Sequence, residues 1–290
     1  MKFSELKFGI TGHTGVLGRE FIKKNKNLNF IKFKGDITKK NDVKKWFQKN
    51  PIDIIVHLAA VVPTNIVKKK INYAKKVNYT GTKLLVDEAV KYKKIKWFFY
   101  SSTSHVYKLN NRTIKTKETV KCNPQSAYGL SKREAEKYII KNFSKYNYQY
   151  LIGRIFSFTH KRQKKTFFVP SLIKKLLKFK KNKINKIENV NHYRDFLTTK
   201  DIINAILFLE KKKKTGIFNI GSGQKLHLVD IINHLNKFTK KNIQISKNLK
   251  KTYLIANISK LRKIGWKQKY NFLSHLNNIF KYKILDKYNN

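Results

Sequence analysis

Cysteine is nearly absent from this chain of 290 residues, in which Cys122 is the only one. A single thiol cannot form a disulfide within the chain, and it cannot build the cysteine-rich clusters that hold structural zinc. Proline is also scarce, with four residues, and no stretch rich in proline, glycine or serine marks a linker. We therefore expect no disulfide framework and no metal site, and the lone thiol fits a reducing cytoplasm.

Long hydrophobic runs are missing as well. The longest apolar run extends from residue 54 to residue 62, and His57 interrupts it. A helix that crosses a bilayer needs about 20 apolar residues, so this run is too short. Near the start of the sequence, Lys7 and Gly9 interrupt the hydrophobic stretch that a secretion signal would need. A soluble protein with no membrane insertion is expected.

Acidic residues and arginine are few. Sixteen Asp and Glu stand against 66 Lys and Arg, which gives a formal charge of +50, and only seven of the basic residues are arginine. Such a charge suggests nucleic acid as a partner, but phosphate recognition favours the arginine fork over the lysine point charge. The lysines are spread along the whole sequence beside abundant Asn and Ile, as in an A/T-biased coding sequence. We interpret the charge as compositional background and expect no specific nucleic-acid site.

Apolar segments of strand length alternate with amphipathic segments of helix length. Strands are predicted at 7–11, 30–33, 52–60, 96–103, 148–158 and 216–221. Nearly continuous apolar strands separated by helices predict a parallel sheet that is covered on both faces, hence a doubly wound (Rossmann) α/β domain. After residue 158 this alternation stops, and a smaller C-terminal α/β region is expected.

The predicted domain boundaries follow from this change of pattern. Residues 1–158 and 192–220 are assigned to the Rossmann domain, and residues 159–191 and 221–290 to a substrate-binding region. The latter includes "PSLIKKLLKFKK", a basic amphipathic helix. We expect its apolar stripe to pack inside the protein and its lysines to face water, rather than the helix to bind a membrane.

A glycine-rich turn follows the first predicted strand. In "ITGHTGVLGRE", Gly12, Gly15 and Gly18 lie between that strand and the first helix. A dinucleotide pyrophosphate needs glycines there, because they allow a tight turn and close approach to the helix N-terminus. Asp36 ends the second predicted strand, 18 residues after Gly18. An acid at this place commonly accepts hydrogen bonds from the adenosine ribose, and the alternative is an ordinary helix-capping Asp.

Tyr128 and Lys132 lie four residues apart in "SAYGLSKREAEKY", at the start of a predicted helix. A second segment, "YSSTSHVY" (100–107), contains Thr103, which lies 25 residues before Tyr128. Together, the two stretches resemble the extended short-chain dehydrogenase/reductase family, the group of nucleotide-sugar epimerases, dehydratases and reductases. The resemblance covers nearly the whole chain. Its further matches, in order, are "TGHTGVLG" (11–18), "GDIT" (35–38), "HLAA" (57–60), "VNYTGT" (77–82), "GRIFSF" (153–158), "YRDFLTTKDI" (193–202) and "FNIGSG" (218–223).

The resemblance implies a Rossmann fold, NAD or NADP as cofactor, and a nucleotide sugar as substrate. It implies Thr103, Tyr128 and Lys132 as catalytic residues. The implied cofactor-binding residues are Gly12, His13, Thr14, Gly15, Val16, Leu17, Gly18, Asp36, Ile37, Leu58, Ala59, Ala60, Asn78, Tyr128 and Lys132. The implied substrate-binding residues are Thr103, Ser104, His105, Ser157 and Arg194.

The chemistry of the three catalytic residues agrees with this assignment. A free tyrosine has a pKa of about 10, so it transfers protons poorly near neutrality. The Lys132 ammonium and a positively charged nicotinamide ring would favour the phenolate and lower the pKa of Tyr128. Lys132 can also hydrogen-bond the nicotinamide ribose, and Thr103 can donate a hydrogen bond to the substrate oxygen. Tyr128 would then exchange a proton with the substrate while a hydride moves to or from the cofactor.

Departures from the family pattern narrow the prediction. The 4,6-dehydratases of the group carry Asp-Glu after the catalytic Thr, whereas this chain has Ser104 and His105. His105 can be an extra acid or a packed, solvated side chain. Ser157 replaces a substrate-facing Asn. The segment before Asp36 is short, so a strand is missing, and Asp36 fits either the ribose acid or the acid that contacts adenine.

The predicted function is therefore that of an epimerase or a 4-keto-sugar reductase. The choice between NAD and NADP stays open, because Lys32 and Lys34 are candidate partners of the 2′-phosphate that only NADP carries. The alternatives are a reductase of a non-nucleotide carbonyl compound and a non-catalytic Rossmann protein that binds nucleic acid. A homodimer is compatible with the prediction.

Overall fold

The computed structural model describes residues 5–62, 70–246 and 250–288. The chain divides into two compact units. Unit 1 comprises residues 1–108, 118–155 and 203–219, and unit 2 comprises residues 109–117, 156–202 and 220–290.

Strands and helices are numbered here along the chain. The strands are β1 Lys7–Thr11, β2 Asn29–Lys32, β3 Ile54–His57, β4 Trp97–Thr103, β5 Lys115–Thr116, β6 Tyr150–Ile155, β7 Ser157–Thr159, β8 Asn185–Ile187, β9 His192–Arg194, β10 Phe196–Thr198, β11 Gly216–Ile220, β12 Leu226–His227, β13 Ile243–Ile245 and β14 Thr252–Ala256. The α-helices are α1 Val16–Lys24, α2 Lys40–Lys49, α3 Ile71–Lys75, α4 Gly81–Tyr92, α5 Ala127–Lys145, α6 Phe168–Lys178, α7 Thr199–Lys211, α8 Leu228–Thr239, α9 Ser259–Lys263 and α10 Phe272–Tyr288.

Unit 1 is built on a six-stranded sheet with the order β11-β6-β4-β3-β1-β2. The pairs β1–β2, β1–β3, β3–β4 and β4–β6 are parallel. The chain adds β2 on one side of β1 and β3 on the other, so the direction of winding reverses between β1 and β3. In doubly wound sheets, ligands bind in the crevice at the carboxyl ends of the strands at this reversal. The predicted doubly wound sheet is confirmed.

Helices pack on this sheet through apolar faces that the sequence spacing defines. In α2 the buried residues are Val43, Trp46 and Phe47, which recur every three or four positions and so share one face. They join a core cluster that also includes Phe98 in β4 and Phe143 in α5. This core fixes the strands whose carboxyl ends carry the candidate site.

One predicted strand is divided in the structure, and one edge of the sheet corresponds to the strand that was expected to be missing. The segment 148–158 forms two strands rather than one, because β6 ends at Ile155 and β7 pairs with β10. On the other side of the sheet, β2 is the edge strand, so the sheet ends where a strand was expected to be missing. The break after Ile155 also coincides with the change from unit 1 to unit 2.

Unit 2 has shorter strands and a core of its own. Its four-stranded sheet has the order β12-β9-β14-β5, and β8 pairs with β13. These pairings explain why 109–117 and 192–202 belong to unit 2, whereas the sequence prediction placed them in the first domain. β5 lies in 109–117 and pairs with β14, and β9 lies in 192–202 and pairs with β12 and β14.

The basic amphipathic helix lies in unit 2 as α6. Its apolar residues Val169, Leu172, Ile173 and Leu176 are buried in the core of that unit, and its lysines are exposed. The apolar stripe is therefore covered by protein and is not a membrane-facing surface. None of the helices in the described part of the chain is both long and apolar enough to cross a bilayer.

Candidate active site

The glycine turn after β1 has the shape that a bound diphosphate requires. Gly12 has a φ of +71°, and a Cβ there would lie 2.5 Å from the Ala59 nitrogen. A Cβ on Gly18 would lie 2.3 Å from the Gly12 carbonyl oxygen. These two glycines are therefore required by the fold, because the turn packs directly on the end of β3 and on the start of α1.

Gly15 differs from its two neighbours. Its φ is −73° and its ψ is 169°, which any residue can adopt, and a Cβ there would meet only the Gly12 carbonyl oxygen, at 3.3 Å. The backbone conformation does not require glycine at this position, and packing opposes a Cβ only through this one close contact. Space next to the backbone is what a closely approaching ligand needs.

The N-terminus of α1 is open to an anion. Gly15 is its N-cap and supplies no side-chain hydrogen bond, and the first turn of α1 contains no acidic residue. The first N–H groups of a helix carry partial positive charge and lack partners within the helix. Arg19 lies beside the turn, where its Nε donates a hydrogen bond to the Thr14 carbonyl at 2.7 Å. The turn thus fits a pyrophosphate, as its sequence predicts.

Three basic side chains act on His13 in this turn. Burial lowers the pKa of His13, and the charges of Lys32, Lys34 and Arg19 lower it further. Lys32 and Lys34 are therefore close enough to the turn to act on a negatively charged ligand there. This placement agrees with the hypothesis that they face a 2′-phosphate.

Asp36 and Ile37 follow β2 and have different surroundings. The Asp36 carboxylate is exposed and accepts hydrogen bonds from the Thr38 backbone N–H at 2.9 Å and from the Thr38 hydroxyl at 2.8 Å. These two bonds lower the pKa of Asp36, so it is ionised near neutrality. Asp36 thus has the local turn contacts of a capping Asp, while its exposure leaves the carboxylate accessible. Ile37 is buried in the core of unit 1.

A chain of buried hydrogen bonds holds the end of β3 against β1. The Ala59 N–H donates to Thr11 Oγ1 at 3.3 Å, and the Thr11 hydroxyl meets His57 Nδ1 at 2.6 Å. On the other side of the ring, His57 Nε2 is 2.9 Å from Thr82 Oγ1, whose hydrogen goes to the Asn78 carbonyl. His57 Nε2 is therefore the donor. Burial, with the nearby Lys132 charge, lowers the pKa of His57 to about 3, so the ring is neutral.

This chain fixes the predicted cofactor residues Leu58, Ala59 and Ala60, which are half-buried directly after β3. His57 itself was not among the predicted site residues. A histidine in an otherwise apolar run is the signal that indicates a buried polar contact at that point.

Asn78 lies in a π-helical turn, Lys76–Thr80, and is completely buried. Its Oδ1 accepts the Val61 N–H at 2.8 Å, and its Nδ2 donates to Ser131 Oγ at 3.2 Å. Ser131 in turn donates to the Tyr128 carbonyl at 2.9 Å. Asn78 therefore connects the segment after β3 to the first turns of α5. Single π-turns inside helices often occur at functional sites.

Thr103 and Tyr128 meet across the end of β4 and the first turn of α5. Ser126 caps that helix by accepting the Gly129 N–H at 3.1 Å, and this places Tyr128 in the first turn. The Thr103 side chain lies close enough to the Tyr128 phenol to lower its pKa. Gly129 makes the approach feasible, because a Cβ there would lie 2.2 Å from the His105 carbonyl oxygen. Gly129 was not predicted as a site residue.

The sequence analysis predicted that the pKa of Tyr128 is lowered. For the protein without its cofactor this prediction is wrong. Burial raises the pKa of Tyr128 to about 12, and the Thr103 side chain only partly offsets this. The physical reason is desolvation, since a phenolate taken out of water loses more than one neighbouring hydroxyl returns. The protein alone therefore holds Tyr128 as a neutral phenol.

Lys132 lies one turn further along α5 and is 2% exposed. Its Nζ is 4.1 Å from the centre of the Tyr100 ring, in β4. Burial lowers the pKa of Lys132 to about 7, against an opposing contribution from Glu136. Among the residues that the structure describes, its ammonium group has no hydrogen-bond acceptor. A buried amine without an acceptor fits the predicted contact with a ribose hydroxyl.

The two residues after Thr103 form a short 3₁₀ turn, Ser104–Val106. Ser104 is buried, whereas His105 is exposed and packs edge-on against the Tyr128 ring at 5.8 Å between ring centres. His105 thus packs against the Tyr128 ring and remains accessible to water.

The predicted substrate residues Ser157 and Arg194 belong to unit 2. The Ser157 N–H donates to the Asp195 carbonyl at 3.0 Å, as β7 pairs with β10. Arg194 is half-buried, and its guanidinium donates to the carbonyl oxygens of Tyr193 and Thr252 and to the Thr252 hydroxyl. Burial lowers the pKa of Arg194 to about 10, because these partners are neutral.

A cavity of about 950 Å³ lies elsewhere in unit 1, at the amino ends of β4 and β6. It is bordered by Lys93 and Asn147, which have positive φ values and follow the C-termini of α4 and α5. Its lining also includes Lys91, Lys96 and Lys213. It is remote in the sheet from the carboxyl ends that carry the glycine turn and Thr103. Within the described residues, no group of three or more His, Cys, Asp or Glu is arranged to hold a metal ion.

A known family matches most of the chain. Residues 9–221 match the model of the NAD dependent epimerase/dehydratase family. The chain belongs to that family. Because the match includes the glycine turn, Thr103, Tyr128 and Lys132, the resemblance predicted from the sequence is confirmed, as is a NAD(P) cofactor at the level of the family.

One curated relative is the dTDP-D-glucose 4,6-dehydratase of Dictyostelium discoideum, which is 30% identical over 218 residues. That match covers 71% of this chain and 49% of the relative, so the chain spans about half of that protein's length.

Two solved structures cover almost the whole chain. The structure of RMD from Pseudomonas aeruginosa, complexed with NADPH, has a TM-score of 0.86 at 18% identity. The match covers 97% of this chain and 98% of the RMD chain. The structure of the UDP-glucose 4-epimerase of Thermotoga maritima, with UDP-glucose, has a TM-score of 0.83 at 21% identity. The match covers 97% of this chain and 99% of the epimerase chain. At these identities, the likeness establishes the shared fold.

Proposed function

We propose that this protein is an NAD(P)-dependent oxidoreductase that acts on a nucleotide-linked sugar, as an epimerase or a 4-keto-sugar reductase. The observation that carries the proposal is that the Thr103 side chain acts on the Tyr128 phenol, with the buried Lys132 one turn away. A binding scaffold would not need a desolvated phenol, a hydroxyl and a buried amine in one place.

The residues that would hold the cofactor are those of the glycine turn and of the end of β3. The open side of Gly15 and the uncapped N-terminus of α1 suit the pyrophosphate, and Lys132 would donate a hydrogen bond to the nicotinamide ribose. When bound, the nicotinamide ring would accept or return a hydride.

Proton transfer would then belong to Tyr128. As a neutral phenol it gives its proton to a carbonyl oxygen when that carbon is reduced. In the opposite direction it takes the hydroxyl proton of the substrate, which requires that positive charge near the phenol lower its pKa. Thr103 donates a hydrogen bond to the same substrate oxygen and holds it beside Tyr128.

Two observations narrow the substrate and the reaction. The half-buried Arg194 has only neutral partners among the described residues, and a guanidinium in this state suits an anionic group such as the diphosphate of a nucleotide sugar. Ser104 and His105 supply no pair of carboxylic acids next to Thr103. A dehydration that needs such a pair is therefore disfavoured, although dehydratases are among the relatives.

The test is a comparison of Tyr128→Phe with the unmodified protein. Nucleotide sugars and their 4-keto derivatives are incubated with NADH and NADPH, and mass spectrometry identifies the converted substrate. Tyr128→Phe keeps the ring but loses the transferable proton, so turnover should fall by a factor on the order of 10² to 10⁴ while cofactor affinity changes little.

The matched control is Tyr146→Phe, an exposed tyrosine at the other end of the same helix, which should leave turnover unchanged. Hydride transfer near the original rate in Tyr128→Phe would show that Tyr128 is only a helix residue and would refute the proposed mechanism.

A further inference from the structure

Glu136 is the centre of a buried ion cluster that the proposed reaction does not use. It lies on α5 eight residues after Tyr128 and four after Lys132, so the three side chains follow one another along one face of the helix. Glu136 is 0% exposed. A carboxylate at such a position is costly unless its charge is compensated.

Four hydrogen bonds compensate the Glu136 carboxylate. Arg154, itself 1% exposed, binds both oxygens, with Nε donating to Oε1 at 3.0 Å and Nη2 donating to Oε2 at 2.8 Å. Arg133 Nη1 donates to Oε2 at 2.7 Å, and the Ser102 hydroxyl donates to Oε1 at 2.5 Å. Arg154 binds both carboxylate oxygens, and Arg133 adds a second positive charge on the same carboxylate. Together, these three side chains carry more positive than negative charge.

Each partner connects Glu136 to an element of the site. Ser102 precedes Thr103 in β4, so its bond fixes α5 next to the residue that meets Tyr128. Arg154 lies in β6 and also donates to the Tyr107 hydroxyl at 2.8 Å and to the Glu118 carbonyl at 3.1 Å. The depth at which α5 sits on β4 and β6 therefore depends on this carboxylate.

Glu136 is the acidic side chain that lies next to Lys132 along α5. The carboxylate is one helical turn away, in a buried region where charges interact strongly. Among the causes that act on the pKa of Lys132, burial lowers it and Glu136 raises it. Because the oxygens of Glu136 are bonded to Ser102 and the two arginines, Glu136 acts on Lys132 through space and leaves its ammonium protons for a ligand.

We propose that Glu136, held by Arg154, Arg133 and Ser102, is a positioning residue that keeps Lys132 in its ammonium form and fixes its place on α5. This inference deepens the proposed function, on which the role of Lys132 rests. It assigns to the cluster an electrostatic task beyond packing, and it explains why a carboxylate is buried beside a lysine that must stay charged.

The groups around the two residues come from several elements. Lys132 is faced by the Tyr100 ring in β4 and by the neutral His57 in β3. Glu136 is faced by Arg133 on its own helix, by Ser102 and Tyr100 in β4, by Arg154 in β6, and by Cys122. Glu118 is a further acidic residue near this cluster, where it acts on Tyr107, a partner of Arg154.

The experiment measures the dissociation constant of NADH by fluorescence between about pH 5 and pH 9. As Lys132 loses its proton near pH 7, affinity should fall, and Lys132→Met should abolish this dependence. Glu136→Gln keeps the shape but removes the charge, so its midpoint should lie about one pH unit lower. Glu136→Asp retains the charge and should keep the midpoint near that of the unmodified protein.

Arg133→Met is the matched control, because it removes a hydrogen bond from the same carboxylate without removing the carboxylate charge. Its midpoint should not move downward. If Glu136→Gln does not fold, the double variant Glu136→Gln/Arg154→Met removes both charges of the buried pair and leaves Arg133 in place. Its midpoint should also lie below that of the unmodified protein.

A second measurement needs no cofactor. The protonation midpoint of Lys132 follows from the pH dependence of the unfolding free energy, taken as the difference between each protein and its Lys132→Met counterpart. Failure to bind NADH or NADPH would contradict the proposed function, and this second midpoint would still decide the role of Glu136. An unchanged midpoint in Glu136→Gln, or an equal downward shift in Arg133→Met, would overturn the inference.

Discussion

Lys132 keeps an amine at a position that is 2% exposed, and this has consequences for stability as well as for chemistry. Its pKa in the folded protein, about 7, lies below its ordinary value of 10.5. The unfolded chain therefore binds the lysine proton more tightly than the folded chain does. Below pH 7 the buried charge destabilises the fold, and this cost is relieved as the pH rises from about 7 to about 10.5.

Replacing Lys132 with Met should therefore stabilise the protein at acidic pH. At pH 6 we expect the unfolding free energy to rise by about 1 kcal/mol or more, or ~2–4 °C in Tm, because a buried charge that has lost its hydration is removed. Near pH 10 the advantage should shrink or reverse. Thermal unfolding at both pH values checks this. Equal effects of Lys132→Met at pH 6 and pH 10 would contradict the assigned pKa.

At this scale, the sequence predicts contacts better than energies. The four-residue spacing of Tyr128 and Lys132 is enough to expect both on one helix face, and the family pattern adds Thr103. The direction of the Tyr128 pKa shift does not follow from spacing, because desolvation depends on every element packed around the phenol. The family pattern used here did not identify Gly129 or Glu136, whose importance arises from the His105 carbonyl and from Arg154.

At the scale of elements, the turn between β1 and α1 shows two different reasons for glycine. Gly12 and Gly18 are required by close contacts within the protein, whereas Gly15 leaves an open side. Sequence alone shows three equally spaced glycines and does not distinguish these reasons. The distinction leads to opposite expectations for stability and for ligand binding.

Gly15→Val should leave the fold nearly intact and weaken the binding of NADH or NADPH about tenfold or more, since the new side chain occupies the space of the ligand. Gly18→Ala should instead destabilise the protein by roughly 1–3 kcal/mol, because its Cβ would clash with the Gly12 carbonyl. Fluorescence titration and chemical denaturation of both variants separate the two effects. Unchanged cofactor affinity in Gly15→Val would remove the pyrophosphate from this turn.

Element boundaries show where sequence patterns stop being informative. The continuous apolar run from Tyr148 to Phe158 predicts one strand, yet the structure ends β6 at Ile155 and begins β7 at Ser157. The pairing partner decides the break, because β7 bonds to β10 rather than to β4. An apolar run reports burial, and it carries no information about which neighbour a strand will choose.

At the scale of the whole molecule, the charge of +50 is the property that most resembles a function of its own. Nearly all of it comes from lysine, and the basic face of α6 is the exposed side of a helix whose apolar side is buried. Nothing in this arrangement selects a sequence of bases. The charge supplies a general attraction to polyanions.

DNA binding should therefore be weak, independent of sequence and steeply dependent on salt. If roughly six phosphates are contacted, affinity should fall by about 10³ or more between about 50 and 200 mM salt. Fluorescence anisotropy with two duplexes of equal length and different sequence measures this. A complex that prefers one duplex and survives added salt would be evidence for a dedicated nucleic-acid site.

The contact between Gly129 and the His105 carbonyl also bears on how this molecule can change over time. It joins the chain at both ends of a long excursion, since residues 106–128 leave the site and return to it. Part of that excursion, 109–117, belongs to unit 2. A Cβ at residue 129 would push these two ends apart, so the separation of Thr103 and Tyr128 depends on a side chain that is missing. A substitution at Gly129 would therefore disturb both ends of the excursion at once, and this position is closed to change.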